Sequence, residues 1–519
     1  MNPLVYEQLG LKEKIQHHLS QHRAELATEA VVEELSKNHH FKTIANDKDE
    51  EVWFYHNGIY KPNGKMTIKH FTRHIAQEYF STYLTNQVVA KIIADNPIEQ
   101  NDFFDQQNEN PFLLPVKNGI LDIKTKQIYE FTPEKYFFSK INAIYDPEAK
   151  CDNFINFLKQ ILETDADVKT IQEILGFCLL RDYKYEKGFM FYGSKGRNGK
   201  SKLLSVFEHF IGLDNISSIS LKDIETEQFS LINLHNKLVN ISGDLSEHVI
   251  NDTGMYKKLT GRDKVSANRK GRSHIQFTNY AKMIFATNDL PIVKNFSSAF
   301  SLRWVMVNFP YQFLPQNELD ILDNKSKAFL QNADILDKLI TDEEMSGILN
   351  FALEGFDRIQ KQKKFSNETN SNEVRKYWLR TSNSVAAFVE DMIVIDYENH
   401  ITKHQFRKVY HDYCKQNNIK QLGDKAISFT LSNELGITDA LVKDGDDRSK
   451  AWKGIKLKTT LYSDNTQIVF EHIQKYKQVN YNELKELLND DNLLDQCLRV
   501  LEREGVINEN PRSVWRLTT

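Results

Sequence analysis

A chain of 519 residues with 40% apolar residues, 27% charged residues, 11 Pro and 21 Gly is too long for a small binding module and too rich in core formers to be collagen-like or mostly disordered. Its 67 basic and 71 acidic residues leave a formal charge of −4, so average charge points to no polyanionic partner and any such signal must be local. No apolar run reaches the roughly 18 residues of a bilayer span, the N-terminus lacks a signal-peptide pattern, and Cys151, Cys178, Cys414 and Cys497 form no CxxC pair; the expectation is a cytoplasmic protein with no membrane partner and no cysteine-bound metal.

In chain order, residues 1–110 predict an α+β N-terminal domain. Helical patterning comes first, and Asn57-Gly58 between the aromatic flanks of VWFYHNGIYK signals a tight hairpin. His17, His18 and His22 share a helix without nearby acids or cysteines and read as surface residues. Residues 111–185 form a connector: LLPVKNGILDIKTKQIYEFTP alternates like paired strands with a turn at Lys124 to Lys126, and helices follow over about 152–182. From 186 to 365 the short strands FMFY, LVNIS and KMIFAT alternate with helical stretches, the pattern of a parallel sheet with crossover helices in an α/β core. KQKKFSNETNSNE then reads as a linker, with a boundary near 365–375. Residues 380–458 and 460–519 each pattern as helices followed by a strand pair, which predicts two winged-helix domains.

The sharpest signal is GFMFYGSKGRNGKSKLLSVFEHF, where an apolar strand enters a loop with Gly193, Gly196 and Gly199, and Lys200-Ser201 open an amphipathic helix. That is a phosphate-binding loop in the context it requires. Glycines let the backbone wrap close enough for successive N–H groups to face phosphate oxygens, with Ser194, Arg197 and Asn198 completing the loop. Lys200 is placed to reach the β and γ oxygens and Ser201 to bind Mg2+. The spacing misses GxxxxGK[ST] by one position, because five residues separate Gly193 from Gly199 and Ser194 stands where the first glycine is usual.

The supporting groups come in order. KLVNISGDLSE ends an apolar strand at Asp244, the candidate to hold Mg2+ through water; Glu247 reads equally as the acid that polarises the attacking water and as a solvated helix-start residue. AKMIFATNDLP ends a third strand at Asn288, whose amide could orient that water, and SLRWVMVNFP sets Arg303 before a fourth, a candidate arginine finger for a neighbouring subunit. Residues 255–274 carry seven Lys or Arg against one Asp, a local +6. Within them VSANRKGRSHIQF predicts a hairpin beginning near Lys264, whose turn would thrust Arg269, Lys270 and Arg272 outward to grip the phosphates of DNA without reading bases.

Taken together, GSKGRNGKS, LVNISGD, KKLTGRDKVSA, MIFATNDLP and SLRW resemble the motifs of superfamily 3 helicases, in particular the phage and plasmid primase-helicase family that includes the poxvirus primase-helicase. NGILDI, FTPEKYF and EEMSGILNFALEGF add to the likeness. The resemblance implies an AAA+ core that binds ATP and Mg2+, a homo-oligomeric ring, usually a hexamer, and 3′ to 5′ movement on single-stranded or forked DNA, with host replication proteins as further partners. On that likeness the Lys270 hairpin lines the central pore, Asn288 is the sensor and Arg303 acts in trans. The paired arginines often seen at that finger are Arg303-Trp304 here. Relatives often carry a primase with paired acids on a strand; Asp47 and Asp49 precede the aromatic strand instead, so priming is not expected.

The winged-helix segment DKAISFTLSNEL carries one Lys against one Asp and one Glu, so base reading through it is not expected; Arg499, Arg503, Arg512 and Arg516 favour the last domain for DNA contact, with partner binding as the competing account. Two other functions fit parts of the pattern. An ATP-switched initiator or helicase loader would share the motifs, whereas a P-loop small-molecule kinase would need a metabolite pocket rather than a cationic hairpin.

Overall fold

The computed structural model describes residues 10–517 apart from 46–49, 228, 244–248, 270–271, 295, 323–326, 418, 420, 435, 445–446, 459–467, 471, 474–477, 489–490, 504–506 and 511–513. The chain is mixed α/β and divides into two compact units, residues 1–378 and 379–519.

The first unit begins with helices Leu11–Ser20 and Ala24–Asn38, followed by a sheet in the order Ile59–Lys61, Glu50–His56, Phe41–Ala45, Pro97–Ile98. The expected hairpin is there: His56 faces Ile59, and Asn57 and Gly58 take φ of 49° and 91°, the left-handed values that a two-residue turn of this twist demands. His18 departs from expectation. It is buried rather than on the surface, and burial lowers its pKa, with the charges of His17 and Arg23 adding to the effect.

The alternating segment forms the antiparallel meander Leu113–Val116, Gly119–Asp122, Ile128–Tyr129. Leu114, Val116, Leu121 and Ile123 share one apolar core with Ile44 and Tyr60 of the N-terminal sheet and with Phe207 and Phe210. That core continues into a five-stranded parallel sheet ordered Trp304–Asn308, Gly188–Tyr192, Lys282–Thr287, Val239–Ser242, Ile216–Ser217. Val239–Ser242 and Lys282–Thr287 are buried at every residue, as strands covered on both faces must be. The burial includes Lys282, whose ammonium lies 2.6 Å from Tyr280 O and 4.7 Å from the Phe177 ring centre and is driven down to a pKa of about 7 by desolvation.

Helices Asp165–Leu179 and Asp342–Gln362 pack at close range because glycines face the contact. A methyl at Gly355 would lie 2.1 Å from Gln172 O, and one at Gly176 would lie 2.4 Å from Ala352 O. Between them the fully buried Glu173 meets Arg358 at 3.3 Å and accepts hydrogen bonds from Gln362 Nε2 at 2.9 Å and Ser366 N at 2.7 Å.

The last of these contacts corrects the linker reading of residues 361–373. Phe365 is buried against Phe177 and Phe189, Asn367 Nδ2 donates to Asp167 at 2.9 Å, and the following helix, Ser371–Ser382, seats Trp378 in the core. Two aromatic anchors in a polar run suffice to fasten it, and the division between units falls just after Trp378.

In the second unit, helices Ser384–Met392, Lys403–Asn417 and Asp424–Phe429 surround a sheet ordered Ile393–Thr402, Asp447–Leu457, Thr438–Asp444. The long first strand was not foreseen. A smaller repetition follows, helices Tyr481–Leu488 and Asp491–Arg503 with strands Gln478–Asn480, Val514–Leu517 and Ile507–Asn510.

Gly355→Ala should lower stability by about 1–2 kcal/mol in denaturant unfolding, because overpacking a helix contact by a methyl outweighs the ~1 kcal/mol that alanine gains in helix propensity. Unchanged or raised stability would mean that the two helices can separate without loss.

Candidate functional site

The loop between strand Gly188–Tyr192 and helix Lys200–Ile211 owes its shape to two glycines. Gly199 has φ 89°, and a methyl there would lie 2.6 Å from Ile161 Cγ2. At Gly193 a methyl would meet Asn198 Nδ2 at 2.3 Å and Phe309 O at 2.8 Å. Gly196 has no neighbour within 4 Å of such a methyl, and Ser194 is exposed. The one-residue displacement of the first glycine therefore has a steric cause: the position that tolerates no side chain is Gly193. Asn198, buried, holds the loop closed by donating to Lys195 O at 2.6 Å and Gly193 O at 3.3 Å, while Arg197 (φ 57°) is exposed beside Glu318.

Because Gly188–Tyr192 and Lys282–Thr287 are parallel neighbours with Tyr192 opposite Thr287, the residues after each strand meet at one edge of the sheet. Gly193 N donates to Thr287 O at 3.3 Å. The Lys200 ammonium, itself buried, lies 3.1 Å from Gly193 O and 2.7 Å from Asn288 Oδ1. Asn288 is held in turn by a turn in which Thr287 Oγ1 donates to Asp289 O at 2.6 Å, and Trp378 Nε1 donates to Pro291 O at 2.8 Å just beyond it. Ser201 is exposed in the first turn of the helix. Val239–Ser242 ends at the same edge beside Phe285; Asp244 and Glu247, which follow it, lie outside the described residues.

Against the outer side of the loop lies a cavity of about 230 Å3 whose apolar walls include Phe157, Ile161, Phe313 and Ile335, with Gln160 and Gln331 as polar groups. None of these was foreseen. They come from helix Asp152–Ile161 and from segments beyond the sheet, and ordinary core types carry no chemical signal in a sequence.

Arg303 lies at the opposite edge. Its carbonyl accepts from Gly188 N at 2.7 Å, at the start of the strand whose far end carries the loop, so the five residues of that strand put it about 16 Å from Gly193. Its guanidinium donates to Ala299 O at 2.8 Å and lies 3.5 Å from Glu186, and its buried Nε has no partner among the described residues. Trp304, where a second arginine is often found, is a core residue stacked on Tyr256 with ring centres 4.6 Å apart.

The basic hairpin pairs Lys264–Arg269 with Arg272–Thr278. Val265, Ala267, Ile275 and Phe277 are buried, and Lys264 is exposed. Lys270 and Gly271 lie outside the described residues, as do Asp47, Asp49 and Arg512. Arg269 corrects the expectation of an outward cation. Its side chain is 15% exposed and ion-paired with Glu51 of the N-terminal sheet, 10% exposed. Residues 265, 267 and 269 share one face of the strand, so alternation sets Arg269 on the inward side with Val265 and Ala267. Beside this pair His235 packs edge-on against Phe104 and Phe277, and burial, with the Arg269 charge adding, lowers its pKa to about 4, so the ring is neutral near pH 7.

Two family models match. "D5 N terminal like" covers residues 29–163, the N-terminal sheet through the meander to helix Asp152–Ile161, and DUF5906, a family of unknown function, covers 191–299, from the phosphate loop past the hairpin. The chain is similar to viral primase-helicase-like proteins. It is 26% identical over 258 residues to a protein provisionally named helicase 121R of Invertebrate iridescent virus 3, matching 46% of this chain and 27% of that protein. It is 21% identical over 502 residues to a provisionally named helicase V13 of Sputnik virophage, matching 87% of this chain and 62% of the other. Primase D5 of Fowlpox virus is 26% identical over 221 residues, 39% of this chain and 28% of that one. The chain thus spans between about a quarter and three fifths of the length of these curated relatives. Among solved structures, the apo C-terminal region of NrS-1 aligns over 82% of this chain and 98% of its own, at 12% identity and a TM-score of 0.41.

A double-mutant cycle on Glu51→Ala and Arg269→Ala should return a coupling of about 1–2 kcal/mol in unfolding free energy, as expected of a largely buried charge pair. Additive single effects would show that the hairpin root is held by its apolar face alone.

Proposed function

We propose that the chain is the ATP-driven motor of a replicative DNA helicase of a phage, plasmid or genomic island, working as a homo-oligomeric ring, hexameric on the family resemblance, that moves 3′ to 5′ on single-stranded DNA. The observation that carries this reading is the separation of Lys200 and Asn288 at one edge of the sheet from Arg303 at the other. A nucleotide held at Lys200 cannot meet the same chain's Arg303; a neighbour's Arg303 can complete the site only in an assembly that presents one edge to the other. The sheet order, 5-1-4-3-2 when its strands are numbered along the chain, fits the AAA+ core implied by the resemblance, and the two small helix-and-sheet repetitions of the second unit fit winged helices.

The residues present fit a triphosphate with Mg2+. When bound, ATP supplies the cleavable anhydride. Lys200 exchanges its oxygen contacts on Gly193 and Asn288 for the β and γ phosphates, and the backbone N–H groups of Gly196 to Gly199 line the loop around them. Ser201 would offer its hydroxyl to the metal, and Asp244, which follows strand Val239–Ser242 in sequence, would help to hold it. Release of Asn288 Oδ1 from Lys200 frees that amide to orient the attacking water, and Glu247 is the candidate to take its proton. The cavity at Phe157, Ile161 and Phe313 accepts the nucleobase. Lys264, Lys270 and Arg272 grip strand phosphates, and Arg269 joins them only when its pair with Glu51 opens.

Lys200→Ala should reduce ATPase and strand displacement at least a hundredfold. Arg303→Ala should do the same to hydrolysis while leaving nucleotide affinity and assembly intact, and mixing the two inactive proteins should restore part of the activity, since the pair forms some complete interfaces. Absence of any rescue in mixtures shown to co-assemble would exclude the trans role.

A further inference from the structure

Two clefts of about 620 and 550 Å3 adjoin one another between the N-terminal sheet and the parallel-sheet core, sharing Ile59, Lys61, Asp214 and Asn215. They are remote from the nucleotide. Glu208, His209 and Gly212 line the second cleft, at the far end of the helix that starts at Lys200, and twelve residues of helix place that end about 18 Å from the phosphate loop.

Lysines converge on the clefts from three elements. Lys61 lies on the hairpin strand Ile59–Lys61, Lys117 is in the first turn of the meander and Lys140 follows it, and Lys237 comes from the core side. Lys140 sits 2.9 Å from Asn57 O and 5.6 Å from the Phe131 ring centre, and Lys237 is hydrogen-bonded to the Asp214 carbonyl. Only Lys117 is ion-paired, at 2.8 Å from Asp342; among the described residues Lys61, Lys140 and Lys237 have no carboxylate within salt-bridge distance. Against these four cations the clefts present two carboxylates, Glu208 and Asp214. The crowding is felt: desolvation lowers the pKa of Lys140 first, and the charges of Lys61 and Lys117 lower it further. Phosphates would relieve what the protein's own acids do not.

The first cleft also has the second feature of a single-strand track, aromatic and amide walls: Phe54, Phe138, Asn63 and the exposed Met66 and His70 line it. It is continuous with the hairpin as well, because His235 and Asn236 line both this cleft and the small recess against hairpin residues Ile275 to Thr278.

We infer that this lysine-lined groove binds single-stranded DNA, carrying the strand from the hairpin root across the N-terminal sheet past Lys237, Lys61 and Lys140. The inference rests on the DNA-motor reading and adds to it a site outside the pore hairpin, one that contributes affinity rather than coupling to hydrolysis.

The test uses the full chain and a fluorescent oligo-dT, with anisotropy measured across a salt series. Lys61→Ala/Lys237→Ala should bind about tenfold more weakly at low salt and show a salt slope shallower by about 1.4, the value for two lost single-strand phosphate contacts. Its ATPase without DNA, and its maximal stimulation at saturating DNA, should be those of the wild type, and Lys61→Arg/Lys237→Arg should retain wild-type affinity. On the wild-type chain, photo-crosslinking to bromodeoxyuridine-substituted DNA should label peptides within 54–70 or 235–237, a readout that does not depend on the variants folding. Unchanged affinity and slope in the alanine pair, or crosslinks confined to the hairpin, would overturn the groove while leaving the motor intact; an acidic peptide lost from the variant with DNA binding unchanged would assign the surface to a protein. A wild-type chain that binds no DNA would overturn both readings.

Discussion

The contact on which the account turns is the one between the Lys200 ammonium and Asn288 Oδ1, at 2.7 Å. It exists because two buried parallel strands end side by side, so that a loop of glycines and the Asn288 amide reach the same point. It also fixes polarity. Once the phosphate site is at the C-terminal edge of the sheet, a cation that precedes a strand, as Arg303 does, must lie at the other edge, about 16 Å away along a five-residue strand. Lys200 and Asn288 thus stand at one edge of the sheet and Arg303 at the other, and on the proposed reading a single copy carries both halves of a site that it cannot close on itself.

The same core ties the motor to what surrounds it. The meander that follows the N-terminal domain shares its apolar side chains with the helix behind the phosphate loop, and the hairpin packs Ile275 and Phe277 inward while Arg269 reaches Glu51. Displacement of the hairpin along its length would therefore load the N-terminal sheet. That sheet, matched by the D5-type family model, shares with the core the surface on which the cationic clefts open.

What was legible in the sequence was whatever chemistry is local in the chain. The phosphate loop could be read because its glycines answer to backbone angles and close approach within nine residues, and the Asn57-Gly58 turn because two left-handed residues in succession leave few alternatives. The parallel sheet was legible in the alternation of short apolar strands with helical stretches, but its strand order was not. Long-range pairings left no mark: Glu51 and Arg269 stand 218 residues apart, and nothing in either neighbourhood announces the other. The run from Lys361 to Glu373 read as a linker because its polar majority concealed Phe365, whose burial, with Trp378 beyond it, decides the outcome. The walls beside the loop, Phe157, Ile161 and Phe313, are core types that acquire a role only when the fold sets them next to Gly199.

The most direct test of a site shared between chains is ATPase activity per chain measured over a wide range of protein concentration, with molar mass determined by light scattering at each point. The account predicts turnover that rises steeply as oligomers form and falls toward zero when the chain is diluted to a monomer. Constant turnover per chain in a preparation shown to be monomeric would contradict it.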